Sequence, residues 1–231
     1  MSPEPVRHFH EELAQLKQRL TALSAEAEEA IGNAVEALLR RDRSLADAVI
    51  HGDRTINAME SSIEEQGFQL IALHQPMAKD LRLIFSAIRI VNDLERVGDH
   101  AVNVAQSAKV LVDLPHVVPE PELVEMARLA RQMLGDSLSA FVRGDAELAR
   151  EICRRDDQVD HLNDSVFRIL LTHMMEDARS IGACMQLFLV SRNLERVADL
   201  ATNIAEGVVF VAEGRTIKHH AEDVGPGAAP R

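Results

Sequence analysis

Residues 93–105, DLERVGDHAVNVA, recur a hundred positions later as residues 193–205, NLERVADLATNIA, with eight of 13 positions identical. Ordinary composition would give on the order of one match. The chain therefore carries a duplicated unit, and its fold must be one that two similar halves can build. Upstream, Gly32/Gly135, Asp42/Asp145, Leu45/Leu148, Ala46/Ala149 and Asp53/Asp156 align at a spacing of 103. The three-residue difference falls near His74-Gln75-Pro76, so the first copy is expected to have the longer turn there.

Each copy reads as helical. Proline inside a helix removes a hydrogen bond and costs about 3 kcal/mol; the eight prolines, at 3, 5, 76, 115, 119, 121, 226 and 230, avoid every long periodic segment. Between them apolar residues recur three and four apart, as in Leu13, Leu16, Leu20 and Leu23 or Ile84, Ile88, Val91 and Leu94, the stripe of an amphipathic helix. With seven Phe and neither Trp nor Tyr, the core must come from aliphatic residues, Met and Ala, which suits helices better than sheets. The expectation is an all-α chain of two tandem three-helix bundles. Its six long helices run at about 7–40, 43–73, 76–111, 121–143, 145–175 and 178–213, with Pro76 at the first position of the third. Residues 1–112 form the first unit, 113–121 a proline-rich linker, 122–214 the second unit and 215–231 a flexible tail. Cys153 and Cys184 align with Ile50 and Ile84 and read as small core hydrophobes.

Charge narrows the partners. Lys+Arg number 25 against 37 Asp+Glu, a formal −12, whereas nucleic-acid backbones are held by clustered cations and single strands by stacking aromatics. Nucleic acid is not expected as a direct partner, and an anionic lipid surface is unattractive for the same reason. The start lacks the layout of a signal peptide, and no apolar run approaches the ~18 residues of a membrane span. A cytoplasmic location is expected, with membrane contact only through partners.

At 100° per residue, Val91, Leu94, Val97, Gly98 and Ala101 share one apolar arc, while Asn92, Glu95, Asp99 and Asn103 form a strip along its flank. Arg192, Glu195, Asp199 and Asn203 repeat that strip in the second copy. Like charges at i and i+4 destabilise a helix by roughly 0.2–0.5 kcal/mol, so local stability does not explain the duplication. A hard cation such as Mg²⁺, Mn²⁺ or an iron ion would neutralise it, taking oxygen ligands without histidine or thiolate. The preceding helices offer further ligands at matching positions, Asp53 and Asn57 in the first copy and Asp156 and Asp160 in the second. Asn57 carries no charge where Asp160 does, so the second site is expected to bind more tightly. The competing account is a solvated face balanced by arginines, with Arg96 and Asp99 spaced for an i,i+3 pair.

No P-loop, GxGxxG, HExxH or GxSxG is present. The Glu-x-x-His pair of a ferritin-like di-iron site is missing too. His100 and His161 align with Leu200 and Ala58 and read as surface or boundary residues, and His219 and His220 as exposed.

Glu95-Arg-Val-Gly-Asp99 and Glu195-Arg-Val-Ala-Asp199, in repeat register, resemble the paired E(D)xxxD signatures of the PhoU family of phosphate-transport regulators. Gln75-Pro76-Met77-Ala78-Lys79-Asp80-Leu81-Arg82 resembles that family's QPxAxDLR segment, which the second copy replaces with Met175-Glu176-Asp177-Ala178-Arg179-Ser180. The resemblance runs from about residue 7 to 213 and implies two tandem three-helix bundles. It also implies a cytoplasmic regulator acting with a phosphate ABC transporter, through its ATPase, and with a phosphate-sensing histidine kinase, damping both when phosphate is plentiful. Polynuclear metal sites on the acidic faces are implied as well, with iron the leading ion and manganese or magnesium the alternatives.

The reading is a non-enzymatic adaptor with Arg82 as a candidate partner contact, expected to form a symmetric homodimer. A carboxylate-ligated iron or manganese metalloenzyme is the rival, weakened by the lack of a base or nucleophile near the strip. A third alternative is a metal-free structural bundle pair that dimerises through apolar faces.

Overall fold

The computed structural model describes residues 4–217 of the chain; the expected tail at Gly225–Pro230, with His219 and His220, lies outside them. Six α-helices and no strand occur among the described residues: α1 Glu4–Arg40, α2 Arg43–His74, α3 Ala78–Val112, α4 Pro121–Arg143, α5 Ala146–Glu176 and α6 Ile181–Glu213.

Local chemistry sets the boundaries. Asp42 caps α2 by accepting from the Ser44 and Leu45 amides, and Asp145 caps α5 by accepting from the Leu148 amide. The Asp42/Asp145 identity is thus a duplicated N-cap, a device whose loss typically costs ~1 kcal/mol. The turn before it differs between copies. Gly144 ends α4 in the left-handed region at φ 67, where the first copy puts Arg41 at φ 54. A side chain is disfavoured there, but the Arg41 guanidinium donates to the Val112 and Leu114 carbonyls at 3.2 and 2.9 Å, tying the turn to the end of α3.

Pro121 opens α4 at its first turn, as expected. Pro76 does not open α3. Gln75, at φ 45, closes α2, Met77 is the cap of α3, and Pro76 sits between them, outside either helix. The first-copy turn is the longer one. In the second copy Asp177 alone separates α5 from a 3₁₀ turn at Ala178–Ser180 that runs into α6, which also moves the start of α6 past the expected 178.

Within each copy the three helices pack on one another, and α3 and α6 pack together as extensively as helices within a copy. His100 Nδ1 lies 2.9 Å from Asn193 Oδ1, so α3 and α6 run antiparallel and cross near Arg96 and Arg196. A second crossing joins α1 to α4. A β-carbon on Gly32 would stand 2.9 Å from Arg131 Cζ, and one on Gly135 would stand 2.6 Å from Glu28 Oε1. The Gly32/Gly135 identity therefore marks where the copies meet across a pseudo-twofold axis. One continuous aliphatic core results, including Leu94 and Leu194, both 0% exposed. Cys184 is buried in it, and Cys153 is half-buried against it.

Candidate functional site: two unequal acidic strips

In the first copy α2 and α3 bring Asp53, Asn57, Glu95 and Asp99 to one flank. Asn57 Nδ2 donates to Asp53 Oδ2 at 2.9 Å, while Asp53 Oδ1 is buried with no hydrogen-bond partner among the described residues. A β-carbon at position 98 would lie 3.2 Å from that oxygen and 3.1 Å from Ile56 Cδ1, so Gly98 allows α2 to approach. Burial pushes the Asp53 carboxyl above its ordinary value against the Asn57 hydrogen bond, and the Asp99 charge adds to the rise. Glu95 is pushed up first by burial, then by the charges of Asp99, Glu60 and Asp53.

Glu60 belongs to this strip although its role was not recognised in the sequence. It lies seven residues after Asp53 and three after Asn57, a spacing that places all three on one helix face. Its counterpart at the 103 spacing is Asn163. Asn103 is exposed one turn beyond Asp99.

The second strip is assembled differently. Glu195 is pushed up chiefly by burial, with Arg192 opposing and Asp199 and Asp160 reinforcing. Arg192 pairs with Glu195, and Arg196 pairs with Asp199 at 2.9 Å. Asp156 does not stand open beside them. It is 4% exposed, with Thr202 Oγ1 3.4 Å from its Oδ1, and Thr202 replaces Val102 of the first copy. Asn203 is exposed and, with Arg96, Arg196 and Asp199, lines a cleft of about 210 Å³ at the α3–α6 crossing.

The expected Arg96–Asp99 pair is replaced. Arg96 Nη1 lies 3.8 Å from Asp93 Oδ1, because the first copy has a carboxylate at 93 where the second has Asn193; only Arg196 makes the i,i+3 pair forward. Both copies supply hard oxygen donors, and the orphaned Asp53 oxygen and the crowded Glu95 are the features a cation would relieve. Among the described residues no three Asp, Glu, His or Cys side chains already converge as a ligand group, so a cation would have to draw them inward.

His100 bridges the two copies, and exposed His161 bonds the Asp157 carbonyl of its own helix. Arg82 is half-buried, its guanidinium carbon 3.5 Å from where a β-carbon on Gly214 would stand. It therefore lies against the C-terminal end of α6.

The PhoU domain family model matches twice, at residues 20–108 and 123–208. The chain belongs to the PhoU family. A relative from Caulobacter vibrioides (strain NA1000 / CB15N), named phosphate-specific transport system accessory protein PhoU homolog, is 39% identical, with 94% of this chain and 95% of the relative covered. The protein of that name from Aquifex aeolicus is 39% identical over 90% and 94%. The crystal structure of PhoU from Pseudomonas aeruginosa superposes with a TM-score of 0.85 at 37% identity, covering 90% of this chain and all of that one. The Streptococcus pneumoniae phosphate transport system regulatory protein PhoU also gives 0.85, at 32% identity. The fold is thus the tandem two-repeat PhoU fold. No helix among the described residues is long and apolar enough to cross a membrane.

Proposed function

We propose that this chain is a non-enzymatic accessory regulator of phosphate uptake that acts in the cytoplasm by binding other proteins. Its partners are the ATPase of a phosphate ABC transporter and a phosphate-sensing histidine kinase, both damped when phosphate is abundant, and the working form is a homodimer. The observation that carries this reading is 39% identity across 94% of the chain to a protein named as a phosphate-transport accessory protein.

Metal binding belongs to the same proposal, with iron first and manganese or magnesium as alternatives. Asp53, Asn57, Glu95, Asp99 and Asn103 would hold a cation on the first repeat, and Asp156, Asp160, Glu195, Asp199 and Asn203 on the second. The first strip is the stronger candidate, reversing the order expected from Asn57 alone. Three carboxylates crowd Glu95 against one arginine, Arg96, whereas Glu195 has two carboxylates against Arg192 and Arg196, Asp199 pairs with Arg196, and Asp156 is buried beside Thr202.

Deleting the gene in its host and following labelled phosphate uptake in phosphate-rich medium tests the regulatory reading. Uptake should stay high where parent cells reduce it, and the parent chain supplied in trans should restore the reduction. Uptake unchanged by deletion refutes the proposal.

A further inference from the structure

Where α1 crosses α4, two glycines let charged side chains lie against backbone, Glu28 over Gly135 and Arg131 over Gly32. Glu28 and Arg131 are also repeat counterparts at the 103 spacing, so the two copies place opposite charges at equivalent positions. Residue numbers rise on α1 as they fall on α4 between these contacts, and the helices therefore run antiparallel. On the Glu28 side they leave a cleft of about 440 Å³, with Ser24, Glu28 and Leu138 along its floor and Ala25, Val142 and Arg143 along its rim. Small-molecule sites occupy roughly 300–1,000 Å³.

The floor carries polar groups without partners. Ser24 and Leu138 are 4% and 5% exposed. Among the described residues the Ser24 hydroxyl makes no hydrogen bond, and the Glu28 carboxylate makes neither a hydrogen bond nor an ion pair. Burial is the largest influence on the Glu28 carboxyl and raises it; exposed Arg131 opposes that rise and Asp136 adds to it. Asp136 is itself paired with Arg155, which leaves Glu28 as the carboxylate facing the cleft. A half-buried carboxylate beside a free hydroxyl suits a cation that donates several hydrogen bonds. An alkylammonium group has three such donors and an apolar stem to lay over Leu138. A bare metal ion does not fit, since one carboxylate and one hydroxyl fall short of its usual ligand number.

The other end of the cleft narrows the ligand further. Arg143 lies eight residues beyond Gly135, about 12 Å along α4, and its Nε donates back to the Ser139 carbonyl at 3.3 Å. Its guanidinium repels a second ammonium and attracts an anionic end. The repeat-related positions carry Ala127 for Ser24 and Arg131 for Glu28, so the counterpart side of the crossing lacks both acceptors.

We propose that the cleft between α1 and α4 binds a short linear amino carboxylate, with its ammonium on Glu28 and Ser24, its alkyl chain over Ala25, Leu138 and Val142, and its carboxylate at Arg143. The site goes beyond the regulatory reading and uses none of the acidic strips. Because α1 and α4 belong to different repeats, an occupant ties the two repeats together.

Titration of the ¹⁵N-labelled full chain with 6-aminohexanoate, followed by NMR, tests it. The parent should bind with a dissociation constant of about 1 mM or tighter, with the shifted amides gathered along the cleft. Glu28→Gln should weaken binding at least about tenfold, Arg143→Ala about two- to fivefold, and Ala25→Leu, which fills the cleft, should abolish it. Arg40→Ala, at the counterpart of Arg143 in the first repeat, should bind as the parent does. Hexanoate should not bind, and hexylamine should bind more weakly than the amino acid. Absence of binding by the parent up to about 10 mM, parent-like binding by Glu28→Gln, Arg143→Ala or Ala25→Leu, loss in Arg40→Ala, or hexanoate bound as tightly as 6-aminohexanoate would each overturn the proposal. Tighter binding of Nα-acetyl-lysine amide than of 6-aminohexanoate would overturn it in favour of a lysine side chain of a partner protein. Circular dichroism checks that the variants remain helical, and the ligand comparison on the parent decides the matter if one does not.

Discussion

Asp93 sits at the α3–α6 crossing with only 14% of its side chain exposed, and the repeat symmetry places it opposite Leu200, itself 1% exposed. Burial raises its carboxyl from the ordinary 3.8 to about 6, against the pull of Arg96 and Arg89. A raised acid binds its proton more tightly in the folded chain. The penalty is therefore absent below pH 3.8, where both states are protonated, grows as pH rises towards 6, and is constant above that. At about 1.4 kcal/mol per pH unit the ionised group costs roughly 3 kcal/mol at pH 7.5 and about half of that at pH 5. The second copy shows the remedy. Asn193 occupies the equivalent position, its amide donating to the Leu189 carbonyl at 2.7 Å, and Arg89 offers the matching carbonyl to an amide at 93. Asp93→Asn should therefore stabilise the chain at pH 7.5, and by about half as much at pH 5. Urea unfolding of parent and variant at the two pH values measures the difference, in which the titration of other groups cancels. A gain that is equal at both pH values, or a loss at pH 7.5, would refute the burial argument.

Leu94→Ala and Leu194→Ala remove repeat-equivalent side chains that are both 0% exposed; each should cost about 2–5 kcal/mol in urea unfolding, and a loss confined to one would show that the repeats do not share one core. Elemental analysis after dialysis against iron, manganese or magnesium should show more metal lost from Glu95→Ala/Asp99→Ala than from Glu195→Ala/Asp199→Ala, with equal loss contradicting the ranking of the strips. Both double variants should remain helical by circular dichroism.

Much of the fold was legible because helices announce themselves locally. The proline spacing and the apolar periodicity located all six, and the duplicated Asp42 and Asp145 were visible before their capping role was. Pro76 misled because a proline at a helix start and a proline in the preceding turn look alike; the left-handed Gln75 that separates them leaves no mark in periodicity. The positions of Glu95, Asp99, Glu195 and Asp199 along helix flanks follow from periodicity, but the burial of Asp156 and the inequality of the two strips do not. Both depend on contacts between helices: Glu60 reaching Glu95 from α2, Thr202 meeting Asp156, and Asp93 diverting Arg96 from Asp99. The Gly32/Gly135 identity carried the α1–α4 crossing in plain sight, yet a close approach between copies cannot be told from a turn glycine until the partner side chains are known.

The central claim is that the chain regulates by binding. Its most direct test is the affinity of the purified full-length chain for the purified ATPase of its host's phosphate transporter and for the cytoplasmic portion of the phosphate-sensing kinase, measured by interferometry with and without added metal. The account predicts saturable binding to both. Absence of binding to either protein, in the presence and absence of metal, would contradict it.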